Sequence, residues 1–452
     1  MDADDLDRRY RTRSGCIPPE LVDRLLERGH TAVVAEQAGR GEWFCARAWA
    51  RLLAGQGRQA EALEVLAPYA ETTWWTAVVE VAGLLEGCGR IGEAIETVRA
   101  RMVLGHPHAL EHYARLLTRN GRAQEAFDLL LPHADEHGRI DALVDAAQAA
   151  GRNEEAAALL TARITEHRCS DFPGCCRFDA DTALGPLATI RERQGHIDDA
   201  VALLRRQHIV RVNGRDQLAD LLARHDRHQE LLAYAKAGGD EEALEPLAQV
   251  LEERGDIEGA IAVYRQEDMP AAGHPNSAFA HAQLLARHDR GREAIAVMRT
   301  QADLRPDEDW ILQALAELCL KQDLPAEGLA HLDALAALRG GNEQWELYRI
   351  RLPLLAARDG VDTAVRHARA HPEGDTSCAA ADISRLLADA GRTEEAVSLL
   401  KQHAGTRWQV TDMARYLIDL DRTTEALALL QYTDPSPPPI PTTNLWAATP
   451  TL

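Results

Sequence analysis

The chain has 452 residues, a formal net charge of −21, 46% apolar residues and only 5% aromatic ones. The acidic balance argues against a nucleic-acid partner, since affinity for phosphates is carried by Lys and Arg, and the scarcity of aromatics argues against a β-rich protein. No apolar run reaches the roughly eighteen residues of a membrane span, so no membrane partner is expected.

The first ten residues, Met1 to Tyr10, are acidic and lack the apolar centre of a secretory signal. Cys16, Cys45, Cys88, Cys319 and Cys378 are scattered, as thiols are in a reducing compartment, so a cytoplasmic protein is expected. Residues 1–42 read as an N-terminal capping hairpin, with helices over Glu20–Arg28 and Thr31–Gln37 broken at Gly29-His30. A polar half-repeat of that kind keeps the end of an open helical stack in solution.

From residue 43 to 431 one unit recurs, most clearly at Leu386–Leu400: an apolar helical run, a glycine corner, then a second run. The corners are Gly57, Gly89, Gly121, Gly151, Gly195, Asp226, Gly255, Asp289, Asp323, Asp359, Gly391 and Asp421. Gly closes a helix in the left-handed region, and Asp is one of the few substitutes that tolerates it. Five positions after the corner stands a small residue in most copies, such as Ala62, Ala126 and Ala396, and seven before it stands another, such as Ala50, Ala114 and Ala414. Two small residues let the paired helices approach closely. Corners are 29 to 36 residues apart, with one step of 44, which is the period of a helix-turn-helix array. In ten of twelve units an acid precedes the small residue of the second helix, as in Glu61, Glu125, Asp199 and Glu395, where the helix dipole favours it. Part of the net charge is therefore a solvated, dipole-matched surface.

On these residues, together with the large apolar position four further on (Leu66, Leu130, Leu160, Leu204, Tyr264, Leu400, Leu430), the chain resembles the tetratricopeptide repeat family over residues 43–431. The proline between repeats is mostly absent and the period drifts, so the resemblance is to a divergent member, and the preference for Arg over Lys (three lysines only) looks bacterial. The resemblance implies an all-α, right-handed α-solenoid of about thirteen antiparallel helix hairpins. Such folds serve as protein-binding scaffolds in unrelated pathways.

The resemblance also implies a concave groove lined by first helices, at ten and six positions before each corner. Those positions hold Arg47 and Arg51, Glu111 and Arg115, Asp141 and Asp145, Asp216 and Asp220, Glu245 and Gln249, Phe279 and Gln283, Gln313 and Glu317, then Arg349, Arg385 and Arg415. The order is basic, acidic, basic. It suits an extended partner whose cationic part meets Asp141, Asp145, Asp216 and Asp220 and whose acidic part meets Arg47, Arg51 and Arg115. Salt bridging between successive helices accounts for the same charges equally well.

The step of 44 residues holds an insertion at about 166–185 with His167, Cys169, Cys175 and Cys176. Reduced thiols in an ordinary loop, a thiol switch and a zinc site are all open, although adjacent cysteines are awkward ligands for one metal. His108 and His112, four apart beside His106, could hold a metal, but no third ligand is near in sequence. No metal site and no cofactor are expected. The chain lacks G-x-x-x-x-G-K-[ST], G-x-S-x-G, H-E-x-x-H and C-x-x-C, so an ATPase, a serine hydrolase and a zincin are disfavoured. Paired acids raise a glycosidase, but here they sit four apart on single helices with few aromatics to stack a sugar. Trp310, Trp345 and Trp408, near the entries of first helices, are expected to pack between repeats. Residues 432–452 are Pro-rich and expected to be disordered, with Trp446 as a conceivable docking anchor. The expectation is a non-enzymatic scaffold binding a protein or peptide in its groove. The alternatives are a regulatory peptide sensor and a thiol- or metal-responsive module acting through Cys169, Cys175 and Cys176.

Overall fold

A computed structural model describes residues 2–134, 139–166, 180–206, 211–212, 215–238, 244–265, 274–339, 343–403 and 407–431. Cys169, Cys175, Cys176 and the tail with Trp446 lie outside them. The chain divides into two compact units, one formed by Met1–Ala94 with His367–Leu452 and the other by Ile95–Arg366.

Helices α1 (Ala3–Thr12), α2 (Pro19–Glu27), α3 (Thr31–Gly39), α4 (Trp43–Gly55), α5 (Gln59–Glu71) and α6 (Trp75–Gly87) lead into α7 (Ile91–Val103), in which the first boundary falls. The second unit continues with α8 (Ala109–Arg119), α9 (Ala123–Leu130), α10 (Ile140–Ala150), α11 (Asn153–Glu166), α12 (Ala180–Arg193) and α13 (Ile197–Leu204). A two-residue antiparallel pair, β1 (Arg211–Val212) with β2 (Arg215–Asp216), interrupts the helices. Then come α14 (Gln217–Arg224), α15 (His228–Gly238), α16 (Glu245–Glu253), α17 (Ile257–Tyr264), α18 (Pro275–Arg287) and α19 (Gly291–Leu304). The unit closes with α20 (Asp309–Lys321), α21 (Pro325–Leu338), α22 (Trp345–Asp359) and the start of α23 (Val361–Ala370). Helices α24 (Ser377–Asp389), α25 (Thr393–His403), α26 (Arg407–Asp419) and α27 (Thr423–Gln431) return to the first unit.

The corners follow from backbone chemistry. Gly57, Gly89, Gly121, Gly151, Gly195, Gly255 and Gly391 take φ between 71° and 81°, and Asp226, Asp289, Asp323 and Asp421 take φ between 55° and 61°. At each of these corners the next N–H reaches the carbonyl five residues back, as in Arg392 to Leu387 at 2.8 Å and Arg422 to Leu417 at 2.8 Å. This bond satisfies a carbonyl that the helix end would otherwise leave unpaired. One corner departs from the expected register: Asp359 is the last residue of α22, and Gly360 carries the positive φ of 87°. Gly29 has φ 81° and the same bond from His30 to Leu25, so the N-terminal hairpin is one more copy of the unit.

The small residues are buried where the helices meet. Ala50, Ala62, Ala114, Ala126, Ala396 and Ala414 are all at most 1% exposed. Gly328 stands in for alanine because a Cβ there would lie 3.0 Å from Leu354 and 3.3 Å from the Cβ of Cys319. Within each unit the two helices of a hairpin pack on one another, as in α4 with α5, α8 with α9, α18 with α19 and α24 with α25, and the first helices of successive hairpins also touch: α4 with α6 in the first unit, and α8 with α10, α10 with α12, α14 with α16, and α18 with α20 in the second. A stack held by neighbours needs no central core.

The recurring acid of the second helix also has a partner. Arg58, Arg90, Arg122, Arg152, Arg227, Arg290, Arg392 and Arg422, each directly after a corner, pair with the Glu three positions on. Four of them also reach the preceding hairpin: Arg152 to Asp128, Arg227 to Asp198, Arg290 to Glu258 at 3.0 Å, and Arg422 to Glu394 at 2.9 Å. Arg290, with Arg265, holds the Glu293 carboxyl down to about 2. The R-x-x-E spacing that announces this ladder is visible in the sequence.

Helix α1 was not expected. Its Tyr10 stacks on Phe44 of α4 with ring centres 5.7 Å apart, and Asp7 accepts the indole N–H of Trp74 at 3.3 Å. The N-terminal hairpin is also more than a free polar cap, because α2 packs against α26.

Candidate partner-binding face

The positions expected to line a groove do not share one environment. In the first unit the Arg47 guanidinium lies 5.8 Å from the centre of the Phe44 ring, on which Tyr10 also stacks, so α1 occupies this end of the face. Arg51 donates from Nε to Glu80 of α6 at 2.5 Å, a bridge between successive first helices. Arg385 pairs with Asp382 of its own helix at 3.5 Å. Arg415 pairs with Asp412 at 2.8 Å and lies over the Tyr416 ring at 5.0 Å.

In the second unit Arg115 pairs with Glu111 at 3.0 Å and Asp145 lies 3.6 Å from Arg193 of α12. Asp141 is exposed and Asp220 half-buried, neither with an ion pair among the described residues. Arg349 is half-buried and likewise has none among them.

Asp216 is placed differently from the expectation. It is 7% exposed and sits before α14, where Oδ1 accepts the N–H of Ala219 at 3.0 Å and Oδ2 accepts the hydroxyl of Tyr234 at 2.8 Å. The β1–β2 pair takes up the start of this repeat, so the position ten before the corner falls on the helix cap instead of on an open helix face. Both carboxylate oxygens are engaged by the fold.

The next two repeats do form a recess. Glu245, Gln249 and Gln283, three of the expected groove positions, line one open cavity of about 310 Å³ between α16 and α18. Ala248, Ala280 and Leu284 supply its apolar part, and Tyr264, Glu252, Glu253 and Arg287 complete it. Glu252 is held by Arg287 at 2.8 and 3.0 Å and by His288 at 2.8 Å, and Arg287 keeps its carboxyl below the usual range. Burial pushes the Tyr264 phenol up, and its ring stacks on His281 at 5.2 Å. Burial likewise holds His281 down at about 4, so this stack is between neutral rings near neutral pH. One repeat further on, Phe279 meets Trp310 edge to face at 6.1 Å, and Trp310 is 40% exposed. Trp345 is buried as expected, but Trp310 lies on the open face.

A second cavity, of about 380 Å³, is lined by residues of α11, α12 and α13 and by Arg206. Its Arg191 already bonds Gln194 at 2.9 Å and lies 3.7 Å from Glu154. Among the described residues no three His, Cys, Asp or Glu side chains gather as metal ligands. The His106 and His108 rings are 5.9 Å apart, and burial, then His108, keep His106 below its ordinary value. The described cysteines are free thiols; burial pushes Cys45 up to about 12 and Cys319 up to about 11, so neither is a reactive thiolate. No helix among the described residues is long and apolar enough to cross a membrane.

Left-handed corners, buried small residues and a row of first helices with an open polar face define an all-α protein of tetratricopeptide-like helix hairpins. No family model matches the chain, and no curated protein does. Among solved structures it is similar to that of Naa15/Naa10 bound to HypK-THB, with 16% identity, 93% of this chain and 68% of that one covered, and a TM-score of 0.38. It is also similar to a tetratricopeptide repeat protein from Parabacteroides merdae, with 14% identity, 64% of this chain and 97% of that one covered, and a TM-score of 0.27.

Proposed function

We propose that the chain is a non-catalytic interaction protein that binds a polypeptide segment along the first-helix face of its second unit. One observation carries this reading: Glu245, Gln249 and Gln283, which belong to two successive repeats, line a common recess with an apolar floor. A partner laid across the first helices would fill it, with backbone and side chains meeting amides and carboxylates already solvated on that face. The groove charges at Arg51, Arg115 and Asp145 contribute less, because each is already paired within the chain.

The test is photo-crosslinking of the intact chain. A photoreactive residue in place of Gln283 should crosslink peptides selected from a random library, whereas the same residue in place of exposed Arg292, on the second helix of the hairpin, should not. Equal labelling from both positions would remove the first-helix face from consideration.

A further inference from the structure

The recess between α16 and α18 is not neutral. Of its ionised side chains, Glu252 is matched by Arg287 and His288. Among the described residues Glu253 accepts only the amide of Gln249, at 2.9 Å, and Glu245 has no ion pair. The recess thus carries three carboxylates against one guanidinium, Arg287, which is bonded to Glu252 and acts on Glu245 only at longer range, while Ala248, Ala280 and Leu284 supply its apolar lining. Tyr264 adds a half-buried aromatic wall and a phenol without a hydrogen-bond partner among the described residues.

That combination fits a long cationic side chain. An aliphatic stem can lie on the two alanines and the leucine while the charged head meets the carboxylates and the ring. An anionic group would face three carboxylates against one guanidinium in a chain of net charge −21. The neighbouring surface extends the description. First helices pack at about 8–10 Å, and an extended chain advances about 3.3 Å per residue. A segment anchored in the recess therefore arrives at Phe279 and Trp310 about three residues later.

We infer that the second unit reads a basic residue followed or preceded, about three positions away, by an apolar one: the arginine or lysine enters the recess between Glu245 and Glu253, and the apolar residue packs on the Phe279–Trp310 pair. This rests on the binding face proposed above and moves the cation site from the expected Asp141, Asp145, Asp216 and Asp220 to the repeats that follow them.

The experiment is selection of a displayed library of random peptides, about twelve residues long to span four first helices, on the full chain and on a Glu245→Gln/Glu253→Gln variant. Selections run at about 0.1 M and about 0.5 M salt, since a net charge of −21 draws basic peptides to any surface and that attraction is screened. The expected result is one fixed basic position with an apolar residue about three away, kept at high salt, and lost as a basic position in the variant while the apolar one stays. Citrulline in place of the arginine in a synthetic copy should weaken binding to the wild-type chain by about tenfold or more and hardly affect the variant. Peptides without a fixed basic position, or with one that survives in the variant, overturn the cation anchor and leave the face intact. Recovery of no peptide by either protein overturns both.

Discussion

Arg24 of α2 donates from Nε to Asp419 of α26 at 2.6 Å, joining residues 395 positions apart in the chain. Arg28 donates to the same carboxylate oxygen at 3.0 Å, and Asp419 is only 15% exposed. The two terminal parts of the first unit are thereby held by one half-buried acid taking two charge-assisted bonds. Asp419→Asn should cost about 1–2 kcal/mol locally, a figure held down by the partial exposure of both arginines. Amide exchange should quicken by about tenfold in α2 and α26 and stay unchanged in α10. Unaltered exchange in α2 would mean that apolar packing alone holds the contact.

Glu42 stands before α4, where burial raises its carboxyl from 4.5 to about 7 despite a backbone hydrogen bond from Ile17 and the charge of Arg9. One of its oxygens, the Trp43 indole N–H and the Tyr69 hydroxyl are all buried without a partner among the described residues. The folded state holds this proton more tightly than the unfolded one. The contribution of Glu42 is therefore least unfavourable below about 4.5 and worsens as pH rises to about 7, by roughly 3 kcal/mol in all. Unfolding followed through the Trp43 and Trp74 fluorescence should show that slope. Glu42→Gln should flatten it and be the more stable protein at pH 8; a parallel pH profile in the variant would assign the slope elsewhere.

The corners separate backbone cost from packing cost. A Cβ on Gly391 meets nothing within 4 Å, so Gly391→Ala charges only the left-handed conformation, about 1–2 kcal/mol. Asp323 holds φ 55° at an equivalent corner, and Asp323→Gly should relieve strain for a gain of up to about 1 kcal/mol. Opposite signs in denaturant unfolding check the pair. Two losses would show that Asp323 contributes more than its backbone angle.

Asp216→Ala removes a helix cap and the carboxylate that accepts the Tyr234 hydroxyl, so about 2 kcal/mol should be lost, with early melting of the α14–α15 hairpin. Asp220→Asn, a few residues along on the half-buried helix face, should be neutral within about 0.5 kcal/mol. Circular dichroism of the two variants decides. Similar melting would show that the cap carries no more than a surface position does.

Much of the fold is legible because its determinants are local. A left-handed corner is a property of one residue and its two neighbours, so Gly121, Gly151 and Gly391, and the Asp at 226, 289, 323 and 421, disclose helix ends without knowledge of what packs on them. The alanines at fixed distances from each corner tell which faces meet, since helical spacing converts sequence offset into direction. The recess was half legible: Glu245, Gln249 and Gln283 were placed on the face by counting back from the corners, but nothing in their spacing marked a cavity or the role of Tyr264 and the pairing of Glu252. The R-x-x-E spacing is legible too, although in the sequence alone its acids look like matching of the helix dipole.

The sequence by itself thus determined the hairpins and their repetition. Only the tertiary structure decided which charges spend themselves on one another, that Asp216 is a buried cap, that α1 covers Phe44, and that α2 meets α26. The physical reason is range: torsional preference and helical periodicity act within a few residues, whereas an ion pair such as Arg51 with Glu80 or Arg24 with Asp419 exists only once helices 29 or 395 positions apart have been brought side by side.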